Sequence, residues 1–275
     1  MKQLLSLLFI ILTLTVSASQ TDTILVHSNV MNKAIKCVII QPTRSGQPIA
    51  KPNAHFPVIY LLHGWSGSYA QWPATAPQLK QAADSLGIIF VCPDGGYDSW
   101  YFDSPVDPSV RYETFMIKEL IPYIDGHYPT AADRDHRAIT GLSMGGHGAL
   151  YLAIRHKDLF GAAGATSGGV DFRPFPNNWG LKKDLGDTAA NKSNWDNNTV
   201  IHAVDDLQNG DLKIIFDCGV DDFFLKVNRN LHQKLLDKKI DHDYTERPGG
   251  HNGAYWKNSI DYQVLFFDKY FKGKA

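Results

Sequence analysis

Nine residues near the middle of the chain, Thr140-Gly141-Leu142-Ser143-Met144-Gly145-Gly146-His147-Gly148, leave few folds open to it. They follow the strand-like run Arg137-Ala138-Ile139-Thr140 and open a helical run from Gly148 to His156. A chain that passes from strand to helix through Gly-x-Ser-x-Gly makes a very sharp turn with the serine at its tip. Gly141 and Gly145 suit such a turn because they lack Cβ atoms and tolerate unusual backbone angles. Ser143 then stands clear of the sheet at a helix N-terminus, where the partial positive charge favours a developing anion. An ordinary glycine-rich turn is the competing reading. It leaves unexplained why partners for a serine nucleophile follow in order downstream.

The surrounding pattern repeats the strand-to-helix step. Thr23 to Val26 and Ala34 to Ile40 read as two β-segments joined by a turn at Asn29 to Lys33. Gln41 to Phe56 is a Pro- and Gly-rich loop. Pro57 to Leu62 and Ile88 to Cys92 are continuous apolar runs, as expected of strands buried on both faces. A helical stretch from Trp72 to Leu86 lies between them, with Gly87 as its stop signal. Tyr112 to His127 is helical, and Pro122 is expected to kink it. Gly161 to Thr166, Leu212 to Cys218 and Asp243 to Glu246 read as strands, and Phe223 to Lys239 and Tyr255 to Phe271 as helices. Alternation of this kind predicts right-handed βαβ units and an α/β fold. Its mostly parallel central sheet has about eight strands, an antiparallel edge from the opening segments and flanking helices. Ser167 to Gly210 has little periodicity and is too long for an ordinary loop. It is expected to be a partly helical insertion, near 167–210, lying over the site.

Composition narrows the function classes. Lys+Arg 27 against Asp+Glu 28, with no basic block, gives no electrostatic support for a nucleic-acid or anionic-membrane partner. Lys2, the apolar run Leu4 to Val16 and the small residues Val16-Ser17-Ala18 have the layout of a secretory signal peptide, 1–18. The apolar run is short of the roughly 20 residues that span a bilayer. The expectation is therefore export to the periplasm or the extracellular space, with no stable membrane anchor and residues 19–275 as one domain. Cys37, Cys92 and Cys218 are odd in number, show no C-x-x-C spacing and lie in predicted strands, so buried free thiols are expected. No metal site and no cofactor is called for, and His-Glu-x-x-His is absent.

In an open, mostly parallel sheet, functional groups collect beyond the carboxyl ends of the strands. His63-Gly64-Trp65, Asp94-Gly95-Gly96, Ser143, Asp222 and His251 each follow a predicted strand. Serine needs a base, and the base needs a third group to orient it. His251, in Pro248-Gly249-Gly250-His251-Asn252, is the candidate base. Either Asp221 or Asp222 could meet the imidazole. The Gly-x-x-Asp spacing after the strand favours Asp222 and leaves Asp221 as a solvated neighbour or helix cap. The order Ser, acid, His is that of the α/β-hydrolase fold. Two backbone N–H groups are needed where oxyanion charge develops, and Met144 and Trp65 are the candidates. His63 is read as a residue that holds its own loop, and His147 as one that packs against neighbouring loops. Trp100 and Tyr101 are placed at the pocket wall, with core packing as the competing role. Trp179 and Trp195 lie in the insertion, where loop packing competes with contact to a sugar or aryl group.

These residues together resemble the esterase family that includes esterase D, S-formylglutathione hydrolase, tributyrin esterase, feruloyl esterase domains and mycolyltransferase antigen 85. The matching stretches include Tyr60 to Gly64, Pro93 to Gly96, Ser99-Trp100-Tyr101, Glu119 to Pro122, Gly141 to Ala149, Asp217-Cys218-Gly219 with Asp222, and Gly250-His251. The segment Asp94 to Tyr101 looks like the pocket segment of the tributyrin-esterase branch. The resemblance implies carboxylic-ester hydrolysis through an acyl-serine, with Ser143, Asp222 and His251 as triad and Trp65 and Met144 as oxyanion donors. The expected substrate is a small-molecule or carbohydrate ester with a short acyl or an aryl group, such as an acylated sugar or a feruloyl ester. Three other readings compete: acyl transfer of the antigen 85 type, a thioesterase like S-formylglutathione hydrolase, and a non-catalytic carbohydrate-binding scaffold. His63-Gly64-Trp65 departs from the Ser-Gly-Leu type of loop, and an export signal departs from the cytosolic thioesterases.

Overall fold

The computed structural model describes residues 20–44, 47–48 and 55–273. The expected signal peptide falls outside them. Eight strands form one sheet in the order β1-β2-β6-β5-β7-β8-β9-β10. They are β1 (Gln20–Ser28), β2 (Lys33–Gln41), β5 (Val58–Leu62), β6 (Ile89–Pro93), β7 (Arg137–Gly141), β8 (Ala162–Thr166), β9 (Lys213–Gly219) and β10 (Asp243–Arg247). The two-residue strands β3 (Thr43–Arg44) and β4 (Gln47–Pro48) pair with each other inside the segment read as a loop. β1 runs antiparallel to β2, and β2 antiparallel to β6, whereas the other neighbours are parallel. This is the α/β-hydrolase fold, with its antiparallel edge made by the first two strands.

The sheet is buried because its strands are apolar on both faces. All five residues of β5 are buried. Val58, Tyr60 and Leu62 pack into the core on one face, with residues of α5 (Met144–Arg155) and α9 (Leu225–Asp237). Ile59 and Leu61 pack on the other face, with residues of α1 (Gln71–Thr75), α2 (Leu79–Leu86) and α10 (Gly253–Lys272). The alternation follows from the period of two in a strand. Cys37, Cys92 and Cys218 are buried free thiols within this core, as expected.

Two helices differ from the sequence reading, and proline explains both. The stretch from Trp72 to Leu86 is split into α1 and α2, with Ala76 at φ −129°, ψ 68° between them. Ala76 precedes Pro77, whose ring disfavours the helical conformation of its neighbour. The stretch from Tyr112 to His127 runs as α3 (Tyr112–Thr114), a π-helical turn (Phe115–Leu120) and α4 (Ile121–His127). Pro122 cannot donate to the carbonyl four residues back and would crowd it, and the wider turn just before it relieves this in place of a simple kink. The insertion is partly helical, as expected. It carries α6 (Leu181–Leu185), α7 (Lys192–Asn197), α8 (Val200–Ala203) and a 3-10 turn (Val204–Asp206). Among the described residues no helix is long and apolar enough to cross a membrane.

Candidate active site

Ser143 sits between β7 and α5 with φ 55° and ψ −117°, a conformation that costs a non-glycine residue of order 1–3 kcal/mol. The neighbouring glycines make it attainable. A Cβ on Gly141 would collide with the Gly145 carbonyl, and one on Gly145 with the Leu62 carbonyl. Backbone blocks both positions, so no side-chain movement would relieve the clash. The turn is also bonded on both sides, Ser143 N to Thr166 O at 3.1 Å and Gly169 N to Ser143 O at 3.1 Å. Serine is a preferred N-cap, yet Ser143 makes no side-chain cap to α5. Its Oγ is turned to His251 instead.

The three candidate residues of the triad meet. Ser143 Oγ lies 2.9 Å from His251 Nε2. His251 Nδ1 lies 2.9 and 3.1 Å from the two oxygens of Asp222. A carboxylate only accepts, so Nδ1 carries the proton and donates it. Nε2 is then the acceptor for the Ser143 hydroxyl. Asp222 is buried and its Oδ1 also accepts from Phe224 N at 2.8 Å, which fixes the carboxylate plane. Asp221 is exposed, and its N–H donates to Gly249 O at 2.9 Å, joining the acid loop to the base loop. Of the two aspartates, Asp222, the one that the Gly-x-x-Asp spacing favours, faces the imidazole. Gly219 allows the two loops to touch, because a Cβ there would collide with the Gly249 carbonyl.

Of the two candidate oxyanion donors, Met144 is the first residue of α5 and Trp65 lies in the loop after β5. Among the described residues, neither Trp65 N–H nor Met144 N–H has a hydrogen-bond acceptor. A Cβ on Gly64 would lie 3.4 Å from Ser143 Cβ and 2.6 Å from Leu142 Cδ1, so the loop carrying Trp65 approaches the nucleophile as closely as glycine permits. His63 holds that loop. It is buried, its Nδ1 donates to Gly64 O at 2.8 Å and its Nε2 accepts from Gly95 N at 2.7 Å. Gln71 Oε1 accepts from Gly64 N at 2.8 Å, and Tyr101 Oη from His63 N at 3.0 Å.

Those contacts change the reading of the pocket wall. Trp100 and Tyr101 are 1% and 0% exposed, so neither offers a face to solvent. Both have positive φ, 52° and 62°. Tyr101 braces the His63 loop, while Trp100 packs against His147, Phe172 and Trp179. Of the two roles weighed from the sequence, core packing is the one their burial fits. Trp195 is also packed, with Nε1 donating to Gly186 O at 3.0 Å, whereas Trp179 is half-buried.

His147, one turn along α5, is fully buried with Nδ1 2.9 Å from Trp100 O and Nε2 2.7 Å from Asn198 O. It packs between the 94–104 loop and the insertion. The two carbonyls would suit a charged ring, but burial outweighs them and pushes its pKa down to about 4.

Sequence reasoning passed over the role of Asp217. Its buried carboxylate accepts from Thr166 Oγ1 at 2.9 Å, Ser259 Oγ at 2.6 Å and Gln263 Nε2 at 3.0 Å. Gln263 Oε1 in turn accepts from Thr140 Oγ1. This network ties β7, β8 and β9, which lead to the nucleophile and the acid, to α10. One signal was present: a carboxylate in the otherwise apolar run Ile214-Ile215-Phe216-Asp217-Cys218 implies buried partners.

Known proteins resemble this chain in sequence and in fold. A family model described as "Putative esterase" matches residues 28–267. Esterase Rv1288 of Mycobacterium tuberculosis is 30% identical over 222 residues, covering 71% of this chain and 48% of that protein. The chain thus spans about half the length of the first curated relatives it matches. An acetyl esterase of Caldicellulosiruptor saccharolyticus is 27% identical over 237 residues, covering 78% of this chain and 87% of that protein. Among solved structures, a ferulic acid esterase superposes with a TM-score of 0.78 at 29% identity, covering 92% of this chain and 98% of that one.

Proposed function

We propose that this chain, which belongs to the "Putative esterase" family and so shares its descent with named carboxylic-ester hydrolases, hydrolyses carboxylic esters through an acyl-serine intermediate. The observation that carries the reading is the unbroken line of contacts from the Ser143 hydroxyl through His251 to Asp222, beside two amide N–H groups that nothing in the described structure occupies. His251 Nε2 takes the Ser143 proton as Oγ bonds to the ester carbonyl carbon. Asp222 holds the imidazole in the required tautomer and stabilises its charge. The Trp65 and Met144 amides receive the tetrahedral oxyanion, a contact present only while that charge exists. The carbon–oxygen bond to the alcohol then breaks, and the alcohol leaves with the proton from His251. Water repeats the sequence on the acyl-enzyme and frees the acid.

The substrates in this proposal are esters with a short acyl or an aryl acyl group, acylated sugars and feruloyl esters among them. The names of the acetyl esterase and ferulic acid esterase relatives support that class. The residues Lys2, Leu4 to Val16 and Val16-Ser17-Ala18 support action after export, in the periplasm or outside the cell, with residues 19–275 as one esterase domain. A panel of p-nitrophenyl, feruloyl and acetyl-sugar esters tests the class. Hydrolysis of several members is expected, because apolar acyl recognition discriminates by only about 1–3 kcal/mol per methylene. Inertness toward all of them, with turnover of a thioester alone, would overturn it. Adding a sugar acceptor in competition with water separates hydrolysis from acyl transfer, and free acid is the expected main product.

A further inference from the structure

Proton delivery fixes where the alcohol part of the substrate lies. If Ser143, His251 and Asp222 act as above, the departing oxygen takes its proton from His251 Nε2. The atoms bonded to that oxygen therefore rest against whatever borders the imidazole. Three aromatic rings do: Phe223 at 4.3 Å between centroids, Trp256 at 5.1 Å and Phe224 at 5.5 Å. Phe224 is 0% exposed and Trp256 is half-buried, so neither offers a whole free face. Phe223 is 50% exposed.

A single exposed phenylalanine is ordinary on a protein surface and would carry nothing alone. This one is extended. Trp179, from the insertion, stacks beside it at 5.9 Å with the rings 22° apart. The indole is placed there at a cost. Trp179 has φ 54° and is followed by Gly180 at φ 74°, and a bulky residue in left-handed backbone persists only where its surroundings hold it. Phe175, Phe224 and Trp100 hold the ring, at 5.4, 5.1 and 5.7 Å. Gly180 is pressed against the loop below, since a Cβ there would lie 2.6 Å from Asp98 Oδ2. On the other side Phe223 is the residue after Asp222, so the turn that aims the acid also aims the ring. We infer that Phe223 and Trp179 form the leaving-group subsite, two near-parallel apolar rings selecting esters whose alcohol presents a flat apolar face, whether an aryl ring or the C–H face of a pyranose.

The inference rests on the triad reading and is tested with esters that share one acyl group. Ethyl acetate, benzyl acetate and a mono-acetylated methyl xyloside all pass through the same acetyl-enzyme, so differences in kcat/KM report acylation, the one step in which the alcohol is present. In F223L, which keeps apolar bulk but loses the flat face, the benzyl-to-ethyl and pyranoside-to-ethyl ratios of kcat/KM are expected to fall about three- to tenfold. W179A should lower them in the same direction by less. A fall in the benzyl ratio alone identifies an aryl alcohol, and a fall in the pyranoside ratio alone a sugar. Unchanged ratios, or an equal loss on all three esters, would overturn the subsite. Fluorophosphonate labelling separates this from failure of the triad reading: an adduct on Ser143 in wild type and F223L leaves only the subsite at issue, whereas no adduct in wild type removes the triad itself.

Discussion

The strand tips that carry Ser143, Asp222 and His251 and the insertion near 167–210 are both buried at their centres, but they are built differently. At the strand tips the backbone is confined from several sides and the polar side chains are paired. Gly64, Gly141, Gly145 and Gly219 stand where a Cβ would strike another chain segment, and both ring nitrogens of His63 have partners. In the insertion, Asp184 is 0% exposed and, among the described residues, neither carboxylate oxygen has a hydrogen-bond partner. Trp179 keeps a left-handed backbone. Positions that must be held to a fraction of an ångström for proton transfer are over-determined. The insertion leaves a buried carboxylate unpaired, whereas the strained backbone of Ser143 is held by bonds on both sides.

The two regions also answer pH with opposite sign. Burial holds the His147 pKa down at about 4, against an ordinary 6.5. Its contribution to stability is present above about pH 6.5 and is lost as pH falls through 4. Burial, with some repulsion from Asp98 and Asp107, lifts the Asp184 carboxyl to about 6, against an ordinary 3.8. Its contribution is present below about pH 4 and is lost as pH rises through 6. In the wild type the two largely offset one another between pH 4 and 6.5.

The largest effect that would separate the regions is chemical. Asp222→Asn should lower kcat by about 10⁴-fold, the effect of losing the oriented tautomer, with little change in thermal stability. Asp221→Asn should stay within about twofold in the same assay. A comparable loss in both would mean that the acid is misassigned. Next comes backbone confinement. Gly145→Ala should cost on the order of 3 kcal/mol or more, read as a shift in thermal midpoint, because the Leu62 carbonyl cannot move aside. Gly210→Ala, where nothing lies within 4 Å of the added carbon, should cost only the left-handed strain of about 1–2 kcal/mol. Equal costs would erase the contrast.

A smaller effect tests the pH argument. Asp184→Asn should raise stability by about 1–3 kcal/mol at pH 7.5 and by little at pH 4, measured by denaturant unfolding at the two pH values. With Asp184 gone, the loss of stability from pH 6.5 to 4 due to His147 should steepen. A gain of equal size at both pH values would mean that ionisation of Asp184 is not involved. The smallest effect on catalysis is expected at Trp195→Phe, which removes the hydrogen bond to Gly186 O and part of a buried ring for about 2 kcal/mol of stability and leaves ester kcat/KM within about twofold.

The same contrast decides what the sequence disclosed. The parallel sheet was legible because strands buried on both faces read as unbroken apolar runs such as Val58 to Leu62 and Ile89 to Cys92. The residues that meet at Ser143 were legible because the geometry of the turn demands glycine at 141 and 145, and because the acid and base each follow a strand. Their contacts needed the fold, since spacing favours Asp222 over Asp221 but only the loop from Gly219 shows which one turns inward. The burial of Trp100 and Tyr101 was hidden for a related reason. An aromatic pair after a strand looks the same whether it lines a pocket or braces a loop beneath it, and only the Tyr101 hydroxyl against His63 N distinguishes the two. The insertion has no period to read. Trp179 against Phe223 is a contact between residues 44 positions apart, set by a left-handed turn that composition does not announce.

The account stands on the Ser143 hydroxyl being the group activated by His251. Intact-mass and peptide analysis after exposure to a fluorophosphonate measures that directly in wild type, Ser143→Ala and His251→Ala. One adduct on Ser143, absent in Ser143→Ala and slowed by orders of magnitude in His251→Ala, is the predicted result. An adduct on another residue, or ester hydrolysis that persists undiminished in Ser143→Ala, would contradict it.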